Sequence, residues 1–301
     1  ERGKEMPDQI DLTSISTTFP DLPKSQVSRD GLISLIVDKF CAGTKVIVVQ
    51  GLLGSGKTTL LAQFAKAFPQ ESFSFFIGTT LDKSHPAAFL MEMCTQMAAA
   101  LGQPQDDHLW KDTEELKTVF IALQRKISQE AKSSKKSYYF VVDGLEWINH
   151  ESGHKSIMDL LPYEPKAQMH LLASCEPGRA PTFKHERQDI VPFTIRETEF
   201  FLKDLAIEPD EIRSLVRHCN GMPGYLTAVK KLVSSGRSYS ELSRKLPDEM
   251  LDFYEFDWSR MNNVTDDLLI TLSLLAFSKE PLSLEHLSAI TSKDIRDVKD
   301  S

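Results

Sequence analysis

Residues 51–58 read GLLGSGKT, with glycines at 51, 54 and 56 followed by Lys57 and Thr58. This is the GxxxxGK[ST] spacing, and its chemistry is the cradling of phosphate. Gly51, Gly54 and Gly56 let the backbone curl so that its N–H groups face an anion, and a helix N-terminus behind them adds partial positive charge. Lys57 is placed to reach β- and γ-phosphates and the Thr58 hydroxyl to ligate Mg²⁺, with Ser55 and Thr59 beside them in the nucleotide-facing set. With glycine at about 7% of residues, the pattern arises by chance in roughly one chain of this length in a hundred. The competing reading is a glycine-rich turn followed by an accidental Lys-Thr pair.

A second set is acidic. The apolar stretch YYFVV at 138–142 ends in Asp143, and Glu146 follows three residues on. At the C-terminal edge of a parallel sheet such an aspartate sits beside the phosphate loop, where it serves Mg²⁺ through water. Glu146 is placed to polarise an attacking water as general base. Lys57, Asp143 and Glu146 are thus the candidate catalytic residues, and Thr58 with Asp143 the candidate metal pair. The plainer alternatives are a turn-capping aspartate before Gly144 and a solvated loop carboxylate at 146.

These groups need elements to hold them. KVIVVQ (45–50) is a β-branched run and reads as a buried strand leading into the glycine loop, which opens a helix over 51–68. SFSFFIG (72–78), YYFVVDG (138–144), HLLAS (170–174) and DIVPF (189–193) read as further strands; helical spacing marks 28–41, 86–102, 113–131 and 152–161. Strands alternating with helices imply a parallel sheet covered on both faces, an α/β fold. KSSKK (132–136) reads as a solvated basic turn. Residues 1–24, with Pro7, Pro20 and Pro23, read as a linker or extended lead-in. Past residue 195 only amphipathic helices follow (RETEFFLKDL, PDEIRSLVRHCN, PGYLTAVKKLVSSG, YSELSRKL). The expected domains are a linker at 1–24, a nucleotide-binding domain at 25–195, a helical lid at 196–262 and a further helical unit from 263 to 301.

The 301 residues suit about two domains and a further fragment, and the formal charge of −8 disfavours non-specific nucleic-acid binding. No apolar run approaches the ~18 residues of a membrane span, and the charged N-terminus is unlike a secretion signal. Cys41, Cys94, Cys175 and Cys219 lack CxxC spacing, which fits a reducing, cytoplasmic setting better than a disulfide or zinc framework. The eight histidines show no metal-ligand spacing. Met91, Met93 and Met97 with Phe89 read as core packing along one helix. Trp110 and Trp147 read as packing or loop residues. The chain opens on Glu1 rather than Met and closes at Ser301 within a helical pattern, so a longer parent protein is expected.

The order of these motifs resembles the STAND class of signal-transduction NTPases, relatives of AAA+ that include NACHT and NB-ARC proteins. VVDGLEW (141–147) is similar to their hhhhDGhDE segment, with Glu146 at the second acid and Trp147 in place of the last. QVSRDGLISLI (26–36) resembles the entry motif, which implies that Arg29 approaches the nucleotide; Ser28 stands where the family has Gly. HLLASCEPGR (170–179) resembles the sensor strand, which implies that Ser174 faces the site. Gly221-Met222-Pro223 resembles the GxP signature of the lid, whose proline packs on the bound base; alone, Pro223 is a helix-start proline. Residues 263–301 resemble the start of a winged helix, cut short in its third helix.

One departure bears on turnover. The family carries arginine where this chain has Cys175, and a thiol cannot make an arginine's charge-assisted bonds to a γ-phosphate. Arg179, four residues on, is the nearest substitute. Cys175 itself reads as a buried inert thiol, with a redox-sensitive one as the alternative.

The resemblance implies an ATP/ADP- and Mg²⁺-binding switch with slow hydrolysis. It would be closed with ADP and form a homo-oligomer with ATP, with an effector domain before this segment and sensor repeats after it. Defence or regulated cell death is the family-level setting. Two other classes stay open: an origin-recognition-like AAA+ DNA loader, which the acidic charge and GxP disfavour, and a simple P-loop ATPase or kinase.

Overall fold

The computed structural model describes residues 10–22, 26–77, 85–103, 113–148, 156–248, 252, 266–278 and 282–291. They fall into two compact units that divide between Lys245 and Leu246.

The first unit is built on five strands: β1 (Val46–Gln50), β2 (Ser72–Phe76), β3 (Tyr138–Asp143), β4 (Met169–Cys175) and β5 (Glu186–Asp189). Their order is β2-β3-β4-β1-β5, and every neighbouring pair is parallel. A parallel sheet needs crossovers that cover both faces, which is why β1–β4 are buried along their whole length. Side-chain alternation then divides the core. Ile47, Val49, Tyr139, Val141 and Leu172 pack with α1 (Asp30–Cys41) and α2 (Lys57–Ala67). Val46, Val48, Phe73, Phe75, Phe140 and Leu171 pack with α3 (Pro86–Ala100) and α4 (Thr113–Ser134). On α3, Phe89, Met93 and Met97 are fully buried as expected, but Met91 is 48% exposed. It stands two residues from Met93, about 200° around the helix, so it cannot share that face.

Residues 10–22 lack periodicity yet are packed. Leu12 is fully buried, and its N–H donates to the Pro69 carbonyl at 2.7 Å. The Thr17 N–H and hydroxyl both donate to the Glu92 carboxylate, at 2.7 and 2.6 Å, and the Phe76 N–H donates to the Thr18 hydroxyl at 3.1 Å. Gln96 pairs with both the N–H and the carbonyl of Ser74. Thr18 and Gln96 thus pair main-chain groups on the open edge of β2, which would otherwise be a template for another strand.

Three expected elements differ. The strand at 189–193 lies earlier, at Glu186–Asp189, because Pro192 cannot donate to a ladder; the apolar residues 190–193 instead lead into the helix Ile195–Leu202. The helix at 152–161 is, where described, a single 3-10 turn, Ile157–Leu160, closed by Pro162; residues 149–155 lie outside the described residues. The basic stretch at 132–136 is partly helix, since α4 runs to Ser134.

Four helices complete the unit: α5 (Ile195–Leu202), α6 (Pro209–Cys219), α7 (Pro223–Ser234) and α8 (Tyr239–Leu242). Thr194 and Glu197 form a reciprocal capping box at the start of α5, and Pro209 and Pro223 take first-turn positions where a missing N–H costs nothing. The last of these helices is short: YSELSRKL is helical only over four residues.

The second unit contains α9 (Asp266–Phe277) and α10 (Leu284–Thr291), with Leu287 buried. The third helix expected there lies outside the described residues. Among the described residues no helix is long and apolar enough to cross a membrane.

Candidate functional site

The strand order positions the site. β4 lies between β1 and β3, so the glycine loop leaving β1 and the acid ending β3 meet across the end of β4. The loop turns back at Gly51, where a Cβ would collide with Ser55 and Ile190. It enters α2 through Gly56 at φ +93°, a left-handed conformation that an L side chain resists.

Thr58, in the first turn of α2, donates its hydroxyl to Asp143 Oδ2 at 2.7 Å. Ser174 on β4 donates to Asp143 Oδ1 at 2.5 Å and accepts the Gly144 N–H at 2.9 Å. Asp143 is buried, and burial pushes its carboxyl above the ordinary range, against the hydrogen bonds from Ser174 and Thr58 and the Lys57 charge. Lys57 donates Nζ to the Gly51 carbonyl at 2.8 Å and lies 3.4 Å from Glu146 Oε1. The Glu146 side chain is only 7% exposed, and its Oε2 has no hydrogen-bond partner. Burial raises its pKa, opposed by a backbone hydrogen bond and by Lys57. Lys57, Thr58, Asp143, Glu146 and Ser174 are therefore gathered at one point.

The oxygen-donor set fits Mg²⁺. A threonine hydroxyl and a carboxylate meet within hydrogen-bond distance, a hard-oxygen pairing that leaves other positions to water and phosphate. Among the described residues no group of three or more His, Cys, Asp or Glu could hold a metal unaided.

The helices that follow β5 reach the loop. Pro223 lines a cavity of about 60 Å³ together with Arg29, Ser55, Gly56, Thr59 and Phe193. Arg29 is differently placed from a free nucleotide-facing arginine. Its guanidinium lies 3.1 Å from Glu197 Oε1, donates to the Val191 carbonyl and sits over the Phe193 ring, 5.3 Å from its centroid. Its backbone N–H is held by Gln63 at 2.9 Å. Glu197 and Gln63 went unread in the sequence. The TIRE pattern at 194–197 signals a helix start, but nothing local says that its glutamate reaches Arg29, 168 residues away.

Cys175 is fully buried at the end of β4, and burial pushes its thiol up to about 11, which favours the inert reading. Arg179 lies exposed in the following loop. Trp147 is exposed as well.

Comparison with known proteins agrees with this fold. The family described as Nephrocystin 3, N-terminal, matches residues 38–175, just under half of the chain. A search of curated proteins returned no match. Among solved structures, the chain is similar to a STAND protein with a tetratricopeptide repeat sensor from Pyrococcus horikoshii, at 15% identity and a TM-score of 0.50, covering 93% of this chain and 39% of that one. It is also similar to a Walker-type ATPase of Pyrococcus abyssi, at 12% identity and a TM-score of 0.55, covering 94% of this chain and 93% of that one. The chain thus spans about two fifths of the Pyrococcus horikoshii protein. By its sheet order, its glycine loop and these similarities, the chain has the fold of a P-loop NTPase domain.

Proposed function

We propose that this segment is the ATP/ADP-binding switch of a STAND signalling protein. It is closed with ADP, opens and self-associates with ATP, and hydrolyses slowly. One observation carries the reading: the lid and the phosphate loop belong to one compact unit, and a Cβ built on Gly56 of the loop would meet Pro223 of the lid at 3.6 Å. A ligand held by the loop would abut the lid, and in this reading nucleotide identity shifts the lid by its differential affinity for closed and open forms.

In this reading the loop N–H groups, Ser55, Lys57 and Thr59 hold phosphates, Pro223 packs on the base, and Thr58 with Asp143 holds Mg²⁺, which supplies charge neutralisation on the phosphates. Glu146 takes up a proton from the attacking water at its unpartnered Oε2. Ser174 keeps Asp143 oriented. Arg29 approaches the nucleotide from the same cavity and ties the lid through Glu197 and the Val191 carbonyl. Slow turnover follows from Cys175, which offers no positive charge where the family has arginine. A sensor region after this segment is supported by the tetratricopeptide sensor of the Pyrococcus horikoshii protein. An effector before it, homo-oligomerisation, a winged helix from residue 263, a cytoplasmic location and a role in defence belong to the same proposal.

The test is the nucleotide content of the purified protein, extended past Ser301, released by denaturation and separated by chromatography. Near-stoichiometric ADP supports a locked switch. A site that retains nothing and turns ATP over steadily overturns it in favour of a simple ATPase.

A further inference from the structure

The Gly224 N–H, in the first turn of α7, donates to the Gly54 carbonyl of the phosphate loop at 2.7 Å. First-turn amides of a helix have no intrahelical acceptor, so this donor is free to serve the loop. The approach is as close as backbones allow. A Cβ built on Gly224 would lie 2.7 Å from Gly54 Cα and 2.9 Å from Gly54 O. Any side chain at 224 must push lid and loop apart, because both colliding groups are main chain.

The accepting carbonyl belongs to the peptide plane that also carries the Ser55 N–H. A trans peptide directs its C=O and N–H in opposite senses. Here the Gly54 carbonyl faces the lid, and the Ser55 N–H turns into the loop and donates to the Leu52 carbonyl at 3.1 Å. The plane is thereby held at both ends, its C=O by the lid and its N–H by Leu52, so the lid contact helps fix the curl of the loop around an anion.

We propose that Gly224 is a positioning residue for phosphate. Its contact with Gly54 locks the peptide plane between residues 54 and 55, so that lid closure and phosphate binding are coupled through that one plane. The inference rests on the nucleotide-switch reading and names how the lid reads the loop. Linkage is reciprocal: whatever factor the lid contributes to nucleotide affinity, nucleotide returns to the lid contact.

The experiment is ADP affinity and dissociation rate in Gly224→Ala, with Gly31→Ala as control, since a Cβ at Gly31 meets nothing within 4 Å. In parallel, residue-resolved hydrogen exchange follows the Gly224 amide of the unaltered protein with and without ADP. The expected result is a loss of affinity of roughly 5- to 150-fold in Gly224→Ala, none in Gly31→Ala, and ADP-dependent protection of the Gly224 amide. Affinity within twofold of the parent in a folded Gly224→Ala protein overturns the proposal. If that variant does not fold, exchange decides alone, and a Gly224 amide equally exposed with and without ADP overturns it. Lys57→Ala keeps the two readings distinct: full ADP binding in that variant defeats the nucleotide site itself, and lost binding there combined with an indifferent Gly224 defeats only the coupling.

Discussion

Ser174 and Asp143 face each other across adjacent strands, with the serine hydroxyl 2.5 Å from Oδ1. The same hydroxyl accepts the Gly144 N–H, so the turn after β3 and the carboxylate at its end are held by one side chain. Ser174→Ala should leave both partners short of a bond and cost about 1–3 kcal/mol, read by denaturant unfolding of the first unit. A cost near zero would mean that water replaces the hydroxyl and that Ser174 positions nothing.

The same carboxylate sets a pH dependence. Asp143 and Glu146 hold their protons more tightly in the fold than in the open chain. The native protein then binds more protons than the unfolded one, and these two groups lose the fold stability as pH rises from 3.8 and 4.5 through their raised values. Asp143→Asn removes one of those losses. Without Mg²⁺ and nucleotide, its melting temperature should exceed the parent's at neutral pH, and the gap should close as pH falls toward 4. A gap that widens in acid contradicts the assignment.

Lys57→Ala should abolish nucleotide binding, and Pro223→Ala should speed ADP release while leaving association intact. Calorimetry and a stopped-flow chase read the two. The distinction arises because Lys57 is buried in the first turn of α2, and Pro223 lines the cavity beside Ser55 and Gly56 from the lid.

Arg29→Lys should be almost as damaging as Arg29→Ala. The guanidinium bonds Glu197 and the Val191 carbonyl at once and covers the Phe193 ring, a planar fork that an ammonium cannot reproduce. The expected loss is about 1–3 kcal/mol, with faster proteolysis in the 190–194 connection. Lysine restoring the parent's protection would reduce Arg29 to a point charge.

Leu12→Ala should cost about 2–5 kcal/mol, the range for a fully buried leucine, even though it lies in a stretch that reads as a lead-in. Unchanged unfolding would mean that the segment at 10–22 is only laid on the surface.

Thiol labelling should be graded. Cys41 is exposed and should react at once in the native protein. Cys94, pushed up to about 12 by burial, and Cys175, pushed up to about 11, should react only on unfolding, as should buried Cys219. Fast native labelling of Cys175 would reopen its reading as a redox-sensitive group.

The glycine loop, the strand before it and Asp143 were legible in the sequence because their signals are local. A β-branched run, a fixed glycine spacing and an acid at a strand end each occupy fewer than ten consecutive residues. Arg29 shows the opposite case: its motif suggested the nucleotide, but its partners come from residues 191–197, which only the lid's docking brings near. The strand expected at 189–193 failed for a related reason. An apolar run does not say whether it pairs in a sheet or packs under a lid, and Pro192 decides that only when the neighbours are known. Tertiary structure alone placed β4 between β1 and β3, set Ser174 on Asp143, laid residues 10–22 along the edge of β2 and brought Gly224 against Gly54. Each of these contacts joins residues far apart in the chain, through sheet order and close packing that no short window of sequence encodes.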